Sequence, residues 1–315
     1  MSESYDLIVI GAGVAGLTAA RDAARDGARV LLLERLGVGG QVSSVEGITN
    51  FPGLPGPIAG YDIGLHLLEE AEAAGADVVL AQVDAITPDG AGYLVSATDE
   101  DYLTRTVIVA AGSERRTLDV PGEAEFEGRG ISHCASCDGP FFRDKRVIVV
   151  GGGDSAFDEA RILAGQAREV LVVHSGATPT GRPEIVEPTV RLDNVSLRPD
   201  SAVTGIRGGD TVDTVTIRDR ATGAETEVAA QGVFVYVGLE PNTEWLAGFL
   251  DRDESGRLVV DDDLATSRPG VFAAGDIRTG TAAMLTHSVA DGERAARAAL
   301  SHLAGDERGR AAAAT

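Results

Sequence analysis

The chain begins with a strand, turn, helix and strand in close succession. Residues 5–10 form an almost continuous apolar run, typical of a strand buried on both faces of a parallel sheet. A glycine-rich turn follows, and an alanine-rich segment predicts a helix over residues 14–26 that ends at Gly27. Residues 28–34 are the next apolar strand. This order predicts a βαβ unit at the amino terminus.

The same pattern recurs 140 residues later, counted from Gly11 to Gly151 (151 − 11). Residues 146–150 predict a strand, a turn rich in glycine follows, and residues 169–173 predict the next strand. The intervening helix is predicted to reach about residue 166. Two such units in one chain are more informative than either alone, because each is typical of a dinucleotide-binding domain.

The rest of the chain alternates between short strands and helices. Further strands are predicted at residues 77–80, 92–97, 106–110, 214–218, 232–237 and 270–276. An alanine-rich helix is predicted over residues 288–303, with a frayed tail at 305–315. Low-complexity linkers are absent from the sequence, so we expect short crossings between domains near Asp119 and Pro241.

Composition narrows the range of functions. A length of 315 residues with 43% hydrophobic residues suits about two domains, each with its own core. The net charge of −22 would repel nucleic acid and anionic membrane, so neither is expected as a partner. The apolar runs are too short to span a bilayer, and the acidic residues after Met1 do not resemble a signal peptide. We therefore expect a soluble cytoplasmic protein.

The first turn carries the fingerprint Gly11-Ala-Gly13-Val-Ala-Gly16 between a strand and a helix. Glycines there permit a tight turn, close approach of the backbone to a pyrophosphate and close packing of helix on strand. The helix amino terminus adds a positive pole. Glu34 ends the second strand, where an acidic side chain hydrogen-bonds a ribose.

The two cysteines of the chain stand three residues apart in Cys134-Ala-Ser-Cys137. A structural zinc site needs four ligands, and there is no second cysteine pair to complete one. In a reducing compartment this spacing favours a redox-active dithiol, in which the start of a helix lowers one thiol pKa. His133 directly precedes the pair and is either a proton relay or a structural neighbour.

Several short motifs occur together in a characteristic order. They are Gly39-Gly40-Gln41, Asn50-Phe51-Pro52-Gly53, Ala110-Ala111-Gly112, Cys134-Ala-Ser-Cys137-Asp138-Gly139 and Gly275-Asp276. Each is weak by itself, but their order and spacing from Asp6 to Leu300 resemble the low-molecular-weight thioredoxin reductase family. The resemblance implies an α/β fold of two doubly wound Rossmann-like dinucleotide-binding domains, the second inserted into the first, and a homodimer.

The resemblance also implies how the domains and residues are used. Residues 1–118 and 242–315 would form an FAD-binding domain, and residues 119–241 an NAD(P)H-type domain carrying the dithiol. Glu34 would bind the adenosine ribose of FAD and Asp276 its ribityl chain. The remaining positions with an implied cofactor-binding role are Gly11, Gly13, Gly16, Gly40, Gln41, Asn50, Val83, Ala111, Gly112 and Gly275 for FAD, and Gly151, Gly153 and Ala156 for the second nucleotide.

Similar proteins assign separate tasks to the dithiol residues. By this resemblance Cys137 faces the flavin and Cys134 attacks the substrate disulfide. Asp138 corresponds to the acid that protonates a leaving thiolate, although an acidic residue there is also typical of a helix amino terminus.

The second dinucleotide unit departs from the family pattern. The offset that separates Gly11 from Glu34 leads from Gly151 to His174 (34 − 11 = 174 − 151), which NADPH-dependent reductases follow with a run of arginines. Ser175 and Gly176 replace the first two arginines here, and prolines at 179 and 183 are expected to break the usual helix. Arg182 remains, but a bidentate clamp for a 2′-phosphate is not apparent. The sequence therefore leaves NADPH, NADH and a donor that is not a nicotinamide as alternatives.

A second departure follows Asp276. The family carries Arg-Gln seven and eight residues after this aspartate, and the chain has Ala283 and Met284 there. Loss of a charge and an amide beside the isoalloxazine is expected to alter the flavin potential.

Three functions fit these observations. The first is an FAD-dependent thiol–disulfide oxidoreductase that reduces an external disulfide, either of a thioredoxin-like protein or of a small molecule. The second is a nicotinamide-independent flavin oxidase that passes electrons from a small dithiol to O2, which the missing arginines and His133 favour. The third is a flavin-binding scaffold without turnover, which the intact Cys134, Cys137 and Asp138 argue against.

Overall fold

The computed structural model describes residues 4–45, 47–48, 51, 53–54, 56–98, 100–281 and 283–313. The strands are β1 (Ser4–Ile10), β2 (Val30–Glu34), β3 (Asp77–Leu80), β4 (Val83–Asp89), β5 (Gly92–Ala97), β6 (Asp101–Val109), β7 (Ser113–Arg115), β8 (Ile131–Ser132), β9 (Arg146–Val150), β10 (Glu169–Val173), β11 (Val195–Arg198), β12 (Ser201–Gly208), β13 (Val212–Asp219), β14 (Glu225–Ala229), β15 (Gly232–Val235), β16 (Leu239–Pro241) and β17 (Val271–Ala273). The helices are α1 (Val14–Arg25), α2 (Gly60–Ala73), α3 (Glu123–Phe126), α4 (Ala135–Asp138), α5 (Asp154–Ala164), α6 (Pro183–Val190) and α7 (Leu285–Ala313). Within these ranges, none of the helices combines the length and apolar character that crossing a membrane requires.

The first compact unit comprises residues 1–114 and 240–315. Strands β3, β2, β1 and β6 lie side by side and parallel, and β17 pairs with the carboxyl-terminal half of β6. Strands β5 and β4 extend the sheet antiparallel from the amino-terminal half of β6. The central strands are buried on both faces, as their uninterrupted apolar sequences predict.

Small residues let helices α1 and α7 pack closely in this unit. The face of α1 that contains Ala19, Ala20 and Ala23 is fully buried. On α7, a Cβ added at Gly292 would overlap the carbonyl oxygen of Ala15. The two helices are therefore in backbone contact, which fixes the amino-terminal end of α1 relative to the sheet.

The second compact unit is continuous and comprises residues 115–239. Its parallel sheet has the order β11-β10-β9-β15-β8, and β12, β13 and β14 form a separate antiparallel sheet. Strand β16 pairs with β7 where the chain passes from one unit to the other. The second unit interrupts the first in sequence, and the predicted α/β fold with two doubly wound Rossmann-like units is confirmed.

Three sequence-based predictions of secondary structure need correction. The strand expected at 106–110 begins at Asp101, because residues 101–104 pair with β5. The final helix continues to Ala313, so the tail beyond residue 305 is not frayed as predicted. A single glycine, Gly305, costs only about 1 kcal/mol in a helix and does not end it. Pro183 starts α6 instead of breaking it, because the first helical position needs no N–H donor.

Candidate active site

The glycine-rich turn of the first unit is held against its own sheet. Gly11 has φ +104°, and a Cβ there would lie 2.5 Å from the carbonyl oxygen of Ala110. A Cβ at Gly16 would overlap the carbonyl oxygen of Gly11. Gly13 is different, because a Cβ there would meet no atom within 4 Å. Internal packing therefore explains Gly11 and Gly16. Gly13 instead leaves the backbone accessible at the amino terminus of α1.

Glu34 lies beside this turn, at the end of β2. One carboxylate oxygen, Oε2, accepts a hydrogen bond of 2.7 Å from the amide of Ala12. The other, Oε1, accepts one of 2.8 Å from Leu36. Glu34 is thus fixed beside the turn, and its carboxylate retains further acceptor capacity.

An open cleft of about 650 Å³ begins next to Glu34. Leu36 and Leu80 expose 79% and 68% of their surface, and both line this cleft. The cleft is completed by Arg35, Ala81, Gln82, Thr98 and Glu114. Val83, a predicted cofactor contact, follows Gln82 directly and is buried. Exposed apolar surface flanked by polar groups is typical of a ligand site.

Two other predicted motifs meet the same turn. Gly40 approaches Gly13, so that a Cβ at Gly40 would lie 3.2 Å from the Gly13 Cα. The Gln41 side chain donates from Nε2 to the carbonyl oxygen of Ser113 at 2.6 Å, directly after Gly112. These loops therefore surround the amino terminus of α1.

Ala111 and Gly112 are held by a residue that the sequence analysis missed. Asn242 donates from Nδ2 to the Ala111 carbonyl oxygen at 2.8 Å, and from its backbone amide to that of Gly112 at 3.0 Å. Gly112 has φ +62°, a conformation that favours glycine. The sequence signal that could have indicated this contact was an asparagine directly after Pro241, where the crossing between domains was expected.

The Gly275-Asp276 turn packs on α1 as well. Gly275 approaches Ala15, and its amide donates to Oδ2 of Asp291 at 3.0 Å. Oδ1 of Asp276 is buried and has no hydrogen-bond partner among the described residues. Burial, opposed by Arg257, raises the pKa of the Asp276 carboxyl above its ordinary value. A buried acceptor without a protein donor can accept a hydrogen bond from a water or from a hydroxyl of a ligand.

A buried ion pair supports this turn. Arg278 donates from Nε and Nη2 to the two carboxylate oxygens of Asp291, each at 2.6 Å. Both side chains are at most 10% exposed. Such a bidentate pair fixes the geometry of the turn, and sequence patterns had not identified it.

Two sequence-based expectations in this unit concern Asn50 and the pair Ala283 and Met284. Asn50 lies outside the described residues. Ala283 and Met284 occupy the positions after the turn, with φ +48° at Ala283 and Met284 45% exposed. Their expected effect on a flavin stays a prediction.

The second unit contains the same kind of glycine-rich turn, but different residues surround it. Gly151 has φ +145°, and a Cβ there would overlap the carbonyl oxygen of Tyr236. Gly153 is open and Ala156 is fully buried, as the dinucleotide pattern predicts. The His174 side chain packs against Gly152 and is 4% exposed, and burial lowers the pKa of its imidazole. The residue at the offset of Glu34 is thus a buried imidazole packed on the turn.

The loop after His174 is bound to this turn. The amides of Thr180 and Gly181 donate to the carbonyl oxygen of Gly152 at 2.8 and 2.9 Å. Arg182 donates from its amide and from Nε to Asp154, each at 2.7 Å. These bonds lower the pKa of the Asp154 carboxyl. The remaining arginine is therefore already paired with an acid at the amino terminus of α5.

Cys134 and Cys137 form a disulfide, with their Cα atoms 5.4 Å apart. Cys134 is the amino-terminal cap of α4 and its Sγ accepts from the amide of Cys137. The helix is a single turn that continues as a 3₁₀ turn at Gly139–Phe142. Cys137 is exposed and Cys134 half-buried.

The predicted acid, Asp138, reaches the pair through a serine. The Ser132 hydroxyl donates to Oδ2 of Asp138 at 2.7 Å and accepts from the amide of Cys134 at 3.1 Å. His133 contacts Glu127, with 3.4 Å between Nε2 and Oε2. The structure thus links Asp138 to the cysteine pair through Ser132, which the sequence analysis overlooked, while the His133 ring contacts Glu127 and the Val235 carbonyl oxygen.

Comparison with known proteins agrees with this arrangement. Residues 5–295 match the model of a family described as pyridine nucleotide-disulphide oxidoreductase. The chain belongs to this family, and the predicted enzyme is confirmed as a member of the disulfide oxidoreductase class.

Named relatives refine the likeness to thioredoxin reductases. The thioredoxin reductase of Treponema pallidum is 36% identical over 303 residues, which cover 96% of this chain and 98% of the relative. The crystal structure of Lactococcus lactis thioredoxin reductase is 35% identical, with a TM-score of 0.89 and coverage of 96% and 99%. That from T. acidophilum is 32% identical, with a TM-score of 0.85 and coverage of 95% and 99%. The resemblance inferred from the motifs is confirmed.

The different environments of Gly13 and Gly16 predict different effects of one added methyl group. Gly16→Ala should lower the free energy of unfolding by about 2–3 kcal/mol, since the methyl group overlaps backbone. Gly13→Ala should cost less than about 1 kcal/mol, yet it should lower the flavin content of the purified protein. Chemical denaturation and the flavin-to-protein absorbance ratio measure the two effects. A stable Gly16→Ala protein, or full flavin content in Gly13→Ala, would contradict the assignment.

Proposed function

We propose that this enzyme is an FAD-dependent thiol–disulfide oxidoreductase that reduces an external disulfide and does not select NADPH as its electron donor. The observation that carries this proposal is the Cys134–Cys137 disulfide with the Ser132–Asp138 hydrogen bond beside it. The first unit would hold FAD, and the second carries the dithiol.

The residues of the first unit fit FAD. The open backbone at Gly13 suits the pyrophosphate at the amino terminus of α1. Glu34 suits the adenosine ribose, and the cleft with Leu36 suits the adenine. Oδ1 of Asp276 suits a ribityl hydroxyl, which would supply the missing donor. When bound, FAD supplies a centre that exchanges an electron pair with a dithiol.

Chemistry at the dithiol then follows from the positions of its neighbours. Two electrons and two protons convert the Cys134–Cys137 disulfide to two thiols. Asp138 takes the proton of the Cys134 thiol, the resulting thiolate attacks the external disulfide to form a mixed disulfide, and Asp138 returns the proton to the substrate thiolate that leaves. Cys137 attacks the Cys134 sulfur, restores the internal disulfide and releases the second substrate thiol. The net result is one disulfide reduced to two thiols.

The second unit does not fit the 2′-phosphate of NADPH. Ser175 and Gly176 offer no cation, and Arg182 is bound by Asp154 with Glu184 nearby. A phosphate would therefore meet two carboxylates in place of an arginine clamp. We propose a reductant without this phosphate, either NADH or a non-nicotinamide two-electron donor.

The substrate is proposed from the chemistry of the pair and the names of the relatives. Relatives named thioredoxin reductase support a thioredoxin-like protein disulfide as substrate, and a small-molecule disulfide is the alternative. A homodimer is proposed on the same resemblance.

A second candidate reverses the electron flow. A dithiol oxidase would convert a small dithiol and O2 to a disulfide and H2O2. The Asp154–Arg182 pair favours it because this pair disfavours NADPH, and His133, directly before Cys134 in the sequence, is the candidate base. Incubation with dithiothreitol in air separates the candidates, because only the oxidase would produce H2O2 at every turnover.

Exchange of single cysteines tests the dithiol assignment. In Cys134→Ser, Cys137 should remain as a thiolate against the flavin and give a long-wavelength absorbance band, while Cys137→Ser should lack the band. Disulfide turnover should fall by at least about a hundredfold in both, since Cys134→Ser loses the attacking thiol and Cys137→Ser the resolving thiol. Ser136→Ala, between the two cysteines, is the matched control. Retained turnover in both variants would refute the proposal, and a band in Cys137→Ser would reverse the roles.

Donor preference tests the phosphate assignment. Each missing charge-assisted contact is worth about 1.5–3 kcal/mol, so the absence of two should weaken NADPH binding by roughly two to four orders of magnitude. Anaerobic flavin reduction by NADPH should therefore be no faster than by NADH. Asp154→Asn frees Arg182 and should raise the NADPH-to-NADH rate ratio about tenfold.

Asp158→Asn on the same helix is the control for the change in charge, since Asp158 pairs with Arg161 on the exposed surface. Rapid reduction of the native enzyme by micromolar NADPH, much faster than by NADH, would show that the loop contains a phosphate site.

A further inference from the structure

The amino end of the dithiol helix is bound by an acidic side chain from a neighbouring helix. Oε2 of Glu159, on α5, accepts a hydrogen bond of 2.6 Å from the amide of Ala135, the residue after Cys134. The same oxygen accepts a hydrogen bond of 2.9 Å from the Tyr236 hydroxyl. The sequence motifs include neither Glu159 nor Tyr236, and the chemistry proposed above does not use them.

Local packing fixes this contact. Ala135 is fully buried in one cluster with Phe157 and Ala160, the neighbours of Glu159 on α5. Tyr236 is anchored by its amide, which donates to the Val150 carbonyl oxygen at 2.8 Å, and by the close approach of Gly151 to its own carbonyl. The carboxylate therefore reaches Ala135 from a rigid helix, and its second donor comes from the adjacent strand end.

The charges around the pair are predominantly negative. Asp138 contacts it through Ser132, and Glu127 lies beyond His133. The charge of Arg115 acts in the opposite sense and lowers the pKa of the Tyr236 hydroxyl. Among the described residues, no salt bridge joins Glu159 to a cation. The pKa of the Tyr236 hydroxyl is raised, mainly by burial and secondly by the charge of Glu159. Tyr236 therefore remains a hydrogen-bond donor. The charge of Glu159 is screened mainly by two neutral donors.

We propose that Glu159 is a positioning residue that lowers the reduction potential of the Cys134–Cys137 pair. Its negative charge next to Cys134 disfavours the thiolate of the reduced pair and offsets the positive end of the one-turn helix. A reduced dithiol of lower potential gives up its electrons more readily to an external disulfide. The inference depends on the proposed function only in requiring that the pair cycles between disulfide and dithiol.

Glu159→Gln tests the charge without removing the acceptor oxygen. The full-length enzyme is equilibrated with dithiothreitol buffers of defined ratio at fixed pH, alkylated and weighed by mass spectrometry. The equilibrium constant between disulfide and dithiol should shift about tenfold towards the dithiol, which corresponds to about 30 mV. Glu187→Gln, an exposed glutamate of the same unit, should leave it unchanged.

Tyr236→Phe separates charge from structure. It keeps the carboxylate but removes one screening donor, so it should move the equilibrium by a smaller amount towards the disulfide. An unchanged equilibrium in Glu159→Gln, or equal shifts in the same direction in both variants, would overturn the inference. If Glu159→Gln does not fold, Tyr236→Phe alone decides the test. An equilibrium that is unchanged or shifted towards the dithiol in Tyr236→Phe would then overturn the inference. A native pair that never reduces in these buffers would instead contradict the proposed function.

Discussion

The close approach of the first glycine of each turn to the neighbouring strand end determines the rest of this structure. At Gly11 a side chain would lie 2.5 Å from the Ala110 carbonyl oxygen, and at Gly151 it would overlap that of Tyr236. Both glycines have positive φ, so the backbone turns sharply at the carboxyl edge of the sheet. The amino termini of α1 and α5 consequently face that edge, where parallel sheets bind nucleotides.

The two units use the same turn in different ways. In the first, Glu34, Asp276 and the open backbone at Gly13 are all arranged around α1, with a buried acceptor that still lacks a donor among the described residues. In the second, Asp154 at the amino terminus of α5 holds Arg182. One turn later on the same helix, Glu159 holds the backbone next to Cys134. Helix α5 has the position of a nucleotide-binding helix, but it contributes two acidic side chains. Asp154 binds the loop of its own unit, and Glu159 binds the backbone beside the dithiol.

Much of the fold was predictable because its central strands are short apolar runs, and strands 77–80, 92–97, 146–150 and 169–173 have the predicted limits. The cysteine pair and the glycine-rich turns were also evident from spacing. The partners of these residues were not, because Glu159 and Asn242 act through contacts between distant segments, and no local pattern marks Ser132 or the Arg278–Asp291 pair. Local pattern also misjudged the last helix and Pro183, where helical hydrogen bonding tolerates a glycine or a first-position proline.

In the proposed enzyme, a bound flavin and the Cys134–Cys137 pair are two redox centres of one chain. An anaerobic reductive titration with dithionite, followed by absorbance and by thiol alkylation, counts the electrons directly. The account predicts about four electrons per chain, two for the flavin and two for the disulfide, with two new thiols at the end point. An end point at about two electrons with no new thiols would contradict it.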